Sequence, residues 1–191
     1  MTGIILAGGE NRRMGTDKAF LKVAGKPLVE NILDVFSRLF ARTIVVTTSP
    51  ERYRSYDVDV VTDAMDVRGP LTGIYSGLRR SADEMNFVAA CDMPFLNGRL
   101  IEHLKELAPG YDAVVPRVGD LLEPLHAVYS RAILARIESQ MARGERRIQA
   151  LFDSITIRYV PQEEIMLYDP LLRSFKNVNT PEEYKEAVCS D

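Results

Sequence analysis

The chain has 191 residues, of which 46% are hydrophobic and 27% charged, and its formal net charge is −3. These values are ordinary for one globular domain and give no reason to expect a nucleic-acid partner. We see no charged leader with an apolar core, and no apolar run approaches the ~20 residues that span a bilayer, so we expect a cytoplasmic protein without a membrane partner.

Cys91 and Cys189 are far apart and lack Cys or His neighbours at metal spacing. We therefore expect neither a disulfide framework nor a zinc site, and we interpret Cys91 as a buried core thiol.

The chain begins with an apolar run at residues 3–7, which predicts a buried strand, and a loop follows from Gly8 to Lys18. Gly8 and Gly9 lack the Cβ atoms that would block close backbone approach, and the loop carries three cations: Arg12, Arg13 and Lys18. Backbone N–H groups with nearby cations suit a polyphosphate. The spacing differs from that of a P-loop and of a dinucleotide fingerprint. On the residues alone, a solvated turn remains an alternative for the glycine pair.

The string Leu6-Ala7-Gly8-Gly9-x-x-x-Arg13-Met14-Gly15-x-Asp17-Lys18 resembles the signature loop of the nucleotidyltransferases. Its Gly-Gly form with Asp before Lys is similar to that of the molybdenum cofactor guanylyltransferases. The resemblance implies that the loop wraps the triphosphate of GTP and that Lys18 faces the phosphates. Pyrimidine-using relatives more often have Leu-Ala-Ala-Gly here, so the Gly8-Gly9 pair favours guanine. Residues that would bind the nucleotide in this loop are Leu6, Ala7, Gly8, Gly9 and Lys18.

Strand-length and helix-length apolar segments alternate along the rest of the chain, which indicates an α/β fold. A short extended piece is predicted at 20–23, a helix opens at Pro27, and β-branched strands are predicted at 43–48 and 58–62. Ligands of open parallel sheets bind beyond the carboxyl ends of the strands, so Thr47, Thr48 and Asp63 are candidates for nucleotide contact. Family members often carry asparagine where the threonines stand. A threonine hydroxyl cannot reproduce a bidentate amide.

The segment Gly69-Pro70-Leu71-Thr72-Gly73 is predicted to turn into a helix that runs to about Arg80. On physical grounds it can be a simple connection between a strand and a helix. It resembles the family segment that lies against the purine base, which makes Gly73 a candidate for nucleotide binding.

A fully buried strand is predicted at 86–91, and it delivers Asp92 to the same sheet edge as the first loop. A carboxylate there can hold Mg²⁺, which binds proteins through one or two carboxylates together with phosphate oxygens. The alternative is that Asp92 caps a helix or closes a turn. In the family that the chain resembles, the Asp of this Cys-Asp-x-Pro segment is the magnesium ligand.

The second half carries the candidates for the acceptor side. Strands are predicted at 111–116 and within 123–129, with a turn at 117–120. His126 is a candidate contact only, since a core histidine is the more ordinary role and the ionised phosphate acceptor needs no base. The family has a similar Glu-Pro-Leu-His segment close to its pterin substrate.

A helix is predicted at 132–143, ended by Gly144 and followed by Arg146 and Arg147, which either meet an anionic ligand or lie as solvated charges. A late strand is predicted at 155–160. The segment 175–183 is predicted to form an edge strand and a helix that Thr180 and Glu183 cap. The resemblance implies that two asparagines before the cap face the site: Asn177 and Asn179.

Together these features predict a single-domain, Rossmann-like three-layer α/β/α nucleotidyltransferase fold with a mostly parallel sheet. The resemblance implies a GTP-binding half at about 1–95 and an acceptor half at about 96–191. The implied reaction transfers GMP from GTP to molybdenum-molybdopterin, with Mg²⁺ on Asp92 and with Arg13, Lys18 and Asp92 as catalytic residues. Other molybdenum cofactor biosynthesis or target proteins are candidate partners. Two alternatives stay open: a sibling enzyme that uses CTP on the pterin or a nucleotide on a sugar phosphate, and a non-catalytic GTP-binding accessory protein.

Overall fold

The computed structural model describes residues 1–8, 18–23, 26–62, 69–180, 182–183 and 185. Within these residues the centre of the molecule is an eight-stranded sheet in the order β10-β7-β9-β6-β1-β4-β5, with β8 paired to β7. Its strands are β1 Thr2–Leu6, β4 Thr43–Val46, β5 Asp59–Val61, β6 Met85–Ala90, β7 Ala113–Val118, β8 Leu121–Leu122, β9 His126–Ser130 and β10 Ile157–Pro161. A separate two-stranded ribbon joins β2 Lys22–Val23 to β3 Lys26–Pro27.

Strands β5, β4, β1 and β6 run parallel, whereas β9 is antiparallel to both of its neighbours, β6 and β7. Strand β10 returns to a parallel pairing with β7. Parallel strands bring their carboxyl ends to one edge, so the residues that follow β1, β4 and β6 lie side by side. The start of the antiparallel strand β9 lies at this same edge.

Helices cover both faces of the sheet, which confirms the predicted three-layer fold. The helices are α1 Leu28–Leu39, α2 Pro70–Arg80, α3 Gly98–Glu106, α4 Leu134–Ala142, α5 Ile148–Phe152 and α6 Gln162–Ile165. Alternate side chains of β1 serve the two faces: Ile5 packs with the core under α1 and α3, while Ile4 and Leu6 pack with the core under α2 and α4. Because β1 is buried on both sides, it is an uninterrupted apolar run.

Helix α2 approaches β1 closely through two glycines one turn apart. A Cβ on Gly73 would lie 3.2 Å from Leu6 Cδ2, and a Cβ on Gly77 would lie 2.5 Å from Ile4 Cγ2. A methyl group at 2.5 Å requires the Ile4 side chain, the strand or the helix to shift. The glycines therefore set the distance between α2 and the start of the predicted phosphate loop.

Several predicted elements differ from the structure. The prediction of an edge strand in 175–183 is wrong: Arg173–Phe175 form a 3₁₀ turn, and residues 176–179 have no strand pairing. The predicted turn at 117–120 begins later, because β7 continues to Val118 and pairs with β8. Helix α6 was not predicted. The structure confirms the cap at Thr180, whose Oγ1 accepts from Glu183 N at 3.1 Å.

In the described part of the chain, no helix is long and apolar enough to cross a membrane.

Candidate active site

Hydrogen bonds join the carboxyl end of β1 to both of its neighbours, β6 and β4. The Cys91 N–H donates to the Leu6 carbonyl at 3.0 Å, and the Ala7 N–H donates to the Val46 carbonyl at 2.8 Å. Leu6 and Ala7 are buried, while Gly8 is exposed at the start of the loop. The structure therefore brings the start of the predicted phosphate loop beside Asp92, the residue that follows Cys91.

Much of the predicted loop lies outside the described residues. This applies to Gly9, Arg12 and Arg13, and also to Asp63 after β5. Lys18 begins a 3₁₀ turn, Lys18–Phe20, in which Ala19 is fully buried in the core under α1. The far end of the loop is thus anchored on the molecule by Ala19. The roles of Gly9, Arg13, Lys18 and Asp63 stay predictions.

Asp92 lies in the turn after β6 and is half-buried. Its main-chain carbonyl accepts a hydrogen bond from Val178 N at 2.8 Å. Asp92 does not cap the following helix: Asn97 does, since its Oδ1 accepts from Arg99 N at 2.9 Å and from Leu100 N at 3.2 Å. Asp92 therefore closes a turn, and its carboxylate has no capping role in α3.

The residues present fit a divalent cation whose coordination would be completed by phosphate oxygens of the substrate. Among the described residues, no group of three or more His, Cys, Asp or Glu side chains could hold a metal by itself. One carboxylate at a strand end fits Mg²⁺, which keeps most of its ligands as water and phosphate oxygen. Asp92 as the metal ligand stays a prediction.

Thr47 and Gly73 have clear structural roles in addition to their predicted contacts. Thr47 is 1% exposed, and its Oγ1 accepts from Ser49 N at 3.1 Å. Its main-chain N–H donates to Val61 O at 3.0 Å, which continues the pairing of β4 with β5. Gly73 faces Leu6, as described above. Nucleotide contact by either residue remains a prediction.

His126 is a core residue. It is fully buried, and its ring lies edge-on to Phe87 and Phe175, each with a centroid distance of 5.0 Å. Neither ring nitrogen has a hydrogen-bond partner among the described residues. Burial lowers the pKa of His126 to about 3, so the imidazole is neutral at physiological pH. These observations support the interpretation of His126 as a space-filling residue.

The two arginines before α5 differ in their bonding. Arg147 is held by Glu145, to which its guanidinium donates at 2.7 and 3.1 Å. The same hydrogen bonds lower the pKa of Glu145 to about 2. Arg146 is exposed, and its main-chain N–H donates to Glu145 Oε1 at 2.8 Å. The Arg147 guanidinium thus forms an ion pair with Glu145, two residues earlier in the chain.

Sequence reasoning missed the partners that fix the acceptor-side segment to the site. The Leu125 carbonyl accepts from Ala90 N at 3.0 Å, and Glu123 N–H donates to Pro116 O at 2.9 Å. Burial raises the pKa of Glu123, a half-buried carboxyl group in this segment. The register of His126 with Ala89 places the segment beyond the carboxyl end of β6, next to Asp92.

The helix-covered, mostly parallel sheet, with Gly8 and Asp92 at one edge, has the fold of an α/β nucleotidyltransferase. The model of the MobA-like NTP transferase domain matches residues 3–159. The chain belongs to this family.

Relatives match over nearly their whole length. A molybdenum cofactor guanylyltransferase from Desulfosudis oleivorans is 36% identical over 192 residues, covering 100% of this chain and 95% of the relative. A probable molybdenum cofactor guanylyltransferase from Pelotomaculum thermopropionicum is 35% identical, with 97% and 91% covered. The crystal structure of molybdopterin-guanine dinucleotide biosynthesis protein A from Archaeoglobus fulgidus superposes with a TM-score of 0.85 at 31% identity, covering 100% of this chain and 99% of that one.

Proposed function

We propose that this enzyme transfers GMP from GTP to molybdenum-molybdopterin, so that a guanine dinucleotide forms and pyrophosphate is released. The observation that carries the proposal is the Cys91 to Leu6 hydrogen bond, which joins the start of the glycine loop to the turn of Asp92. The full-length similarity to proteins named as guanylyltransferases supports the choice of substrates.

In the proposed reaction, an ionised phosphate oxygen of the pterin attacks the α-phosphorus of GTP. The new P–O bond forms as the bond to the β-phosphate oxygen breaks, and pyrophosphate leaves with that electron pair. The attacking oxygen carries no proton to remove, so a general base is not needed, in agreement with the buried and neutral His126.

Catalysis would then rest on positioning and charge stabilisation. Asp92 would hold Mg²⁺, which neutralises charge on phosphate oxygens when bound. Arg13 and Lys18 would stabilise the leaving pyrophosphate, and Gly8 and Gly9 would offer backbone donors. Thr47, Asp63 and Gly73 would contact the nucleoside end.

The two halves of the chain would bind different substrates. Strands β1, β4 and β6 of the half at about 1–95 would supply the GTP contacts, and the segment before β9 of the half at about 96–191 would supply the pterin side. The adjacent order of these strands in the sheet supports this proposal. A cytoplasmic location also stays a prediction.

The direct test is pyrophosphate release with molybdenum-molybdopterin and each of GTP, CTP and ATP, with the product identified by mass spectrometry. GTP should give the guanine dinucleotide. If CTP is the better donor, the chain is a pterin cytidylyltransferase; if no nucleotide and acceptor release pyrophosphate, the chain is a binding protein. Either result would overturn the proposal.

Two variants test the proposed residues. Lys18→Ala and Asp92→Ala should each lower kcat by about 10²–10³, the usual effect of removing one group that stabilises transition-state charge. Glu106→Gln, which removes an exposed carboxylate at the last residue of α3, is the control and should retain full activity. A folded variant with normal turnover would remove its residue from the mechanism.

A further inference from the structure

Residues 168–178, which we call the strap, cross the acidic turn at the edge of the sheet. The strap is not part of the sheet. Hydrogen bonds stabilise the strap internally, tie it to the start of α3 and join it to Asp92.

The carboxylate of Asp169 organises the strap internally. Asp169 is 4% exposed, and its Oδ1 and Oδ2 accept from Arg173 N at 3.1 Å and Ser174 N at 2.8 Å. Leu172, which lies in the chain between Asp169 and Arg173, has the left-handed backbone conformation with φ 52°, which a leucine rarely adopts. The main-chain N–H of Leu172 donates to Asp169 O at 3.0 Å. The buried carboxylate thus stabilises a turn that contains a leucine in an unfavourable backbone conformation.

Two hydrogen bonds tie this turn to Asn97 at the start of α3. The Asn97 N–H donates to Ser174 Oγ at 2.9 Å, and Asn97 Nδ2 donates to the Tyr168 carbonyl at 2.8 Å. Ser174 is fully buried. Because Asn97 is also the cap of α3, the helix, its cap and the strap form one connected unit.

The end of the strap contacts the acidic turn, residues 91–97. Val178 N donates to Asp92 O at 2.8 Å, and Val178 is 1% exposed. The Arg173 guanidinium lies 5.0 Å from the centroid of the Phe95 ring, and Phe175 packs on His126. The turn 91–97 is therefore held by β1 through Cys91 and by the strap through Asp92 and Asn97.

We propose that the strap positions Asp92 for the divalent cation, with Ser174 and Asp169 as positioning residues that touch neither metal nor substrate. The inference rests on the proposed metal role of Asp92. Residues that orient a metal ligand without touching the metal typically lower metal affinity by about 10–100-fold when they are removed. Displacing a reacting group by about 1 Å can cost about 10²-fold in rate.

The test compares Ser174→Ala with Ser130→Ala. Ser130 is also buried, at 4% exposure; its Oγ donates to Glu84 Oε1 at 2.6 Å and accepts from Ala132 N at 3.0 Å at the opposite edge of the sheet. Both changes remove one buried serine hydroxyl, but only Ser174 belongs to the strap. The probe is Mn²⁺ with inorganic triphosphate, followed by electron paramagnetic resonance, and the Val178 amide is followed by hydrogen exchange.

We expect Ser174→Ala to weaken Mn²⁺ binding about tenfold or more and to speed Val178 exchange, while Ser130→Ala changes neither. Raised Mn²⁺ should restore most of the transfer rate of Ser174→Ala. If Val178 exchange rises while Mn²⁺ affinity equals that of the wild type, the strap does not position the metal site. Equal effects of the two variants would likewise overturn the inference and leave a purely structural role.

Asn97→Ser provides a second variant in case Ser174→Ala does not fold. Serine retains a side-chain oxygen that can cap α3, but it lacks the amide that binds Tyr168 O. Weakened Mn²⁺ binding with an intact cap is the expected result, and unchanged binding would contradict the inference. A wild-type protein that binds Mn²⁺ and triphosphate but transfers no GMP would refute the proposed function. The effect of the strap variants on Mn²⁺ affinity could still be measured in that case.

Discussion

At the scale of single residues, His126 shows how burial decides chemistry. Its ring nitrogens have no hydrogen-bond partner among the described residues, and burial holds its pKa at about 3 against an ordinary 6.5. The Asp169 charge opposes this shift only in part. The folded protein therefore disfavours protonated His126, whereas the unfolded chain accepts the proton readily.

This difference predicts an acid-dependent loss of stability. As pH falls below about 6.5, the unfolded state binds a proton that the folded state does not, so the free energy of unfolding should fall by up to about 1.4 kcal/mol per pH unit until pH approaches 3. His126→Leu should abolish this contribution, as measured by urea unfolding between pH 4 and 7, at about 0.1 M salt.

His103 is the matched control for this measurement. It is the other of the two histidines, and its Nε2 lies 2.8 Å from Glu164 Oε1. His103→Leu removes this second imidazole and is measured over the same pH range as the wild type. If His126→Leu retains the pH slope of the wild type, His126 is not the group that destabilises the protein in acid.

At the scale of elements, the contact between α2 and β1 sets where the predicted phosphate loop starts. In Gly77→Ala, the methyl group would overlap Ile4 Cγ2, and overpacking of this kind typically costs about 1–3 kcal/mol. Alanine would gain about 0.5–1 kcal/mol over glycine within a helix. We therefore expect the free energy of unfolding to fall by about 1 kcal/mol, and by at most about 2.5 kcal/mol, as measured by urea denaturation.

Gly98→Ala separates packing from helix propensity. Gly98 is the first residue of α3, and a Cβ there would lie 3.8 Å from Leu39 Cδ1, an ordinary contact. This variant should be as stable as the wild type or more so. A Gly77→Ala protein that matches Gly98→Ala in stability would show that the helix can move away from β1 without cost.

The sequence predicts elements well where the signal is local. Helices α1 and α2 follow from apolar periodicity and from Pro27 and Pro70 at their starts, and β1 and β6 follow from unbroken apolar runs. Strand β8 and helix α6 have only two and four residues, too short to show a period. The strap depends on contacts between residues more than 70 positions apart, such as Asn97 with Ser174, which no local pattern encodes.

At the scale of the whole molecule, the topology gathers the site from distant parts of the chain. Strands β4, β1 and β6 lie in adjacent order, and their parallel direction places Gly8, Thr47 and Asp92 at one edge. The motif around Asp92 predicted this meeting from the sequence. The role of Asn97 as the cap of α3, which leaves Asp92 to the turn, became visible only in the structure.

The most direct test of the account is calorimetric binding of GTP, CTP and ATP in the presence of Mg²⁺, with the wild type and Asp92→Ala. The variant keeps the main-chain carbonyl that binds Val178 N, so its fold should persist. The account predicts that GTP binds in preference to the other nucleotides and that the variant loses GTP binding or its dependence on Mg²⁺. Equal or tighter binding of CTP, or an Asp92→Ala protein that binds GTP and Mg²⁺ like the wild type, would contradict it.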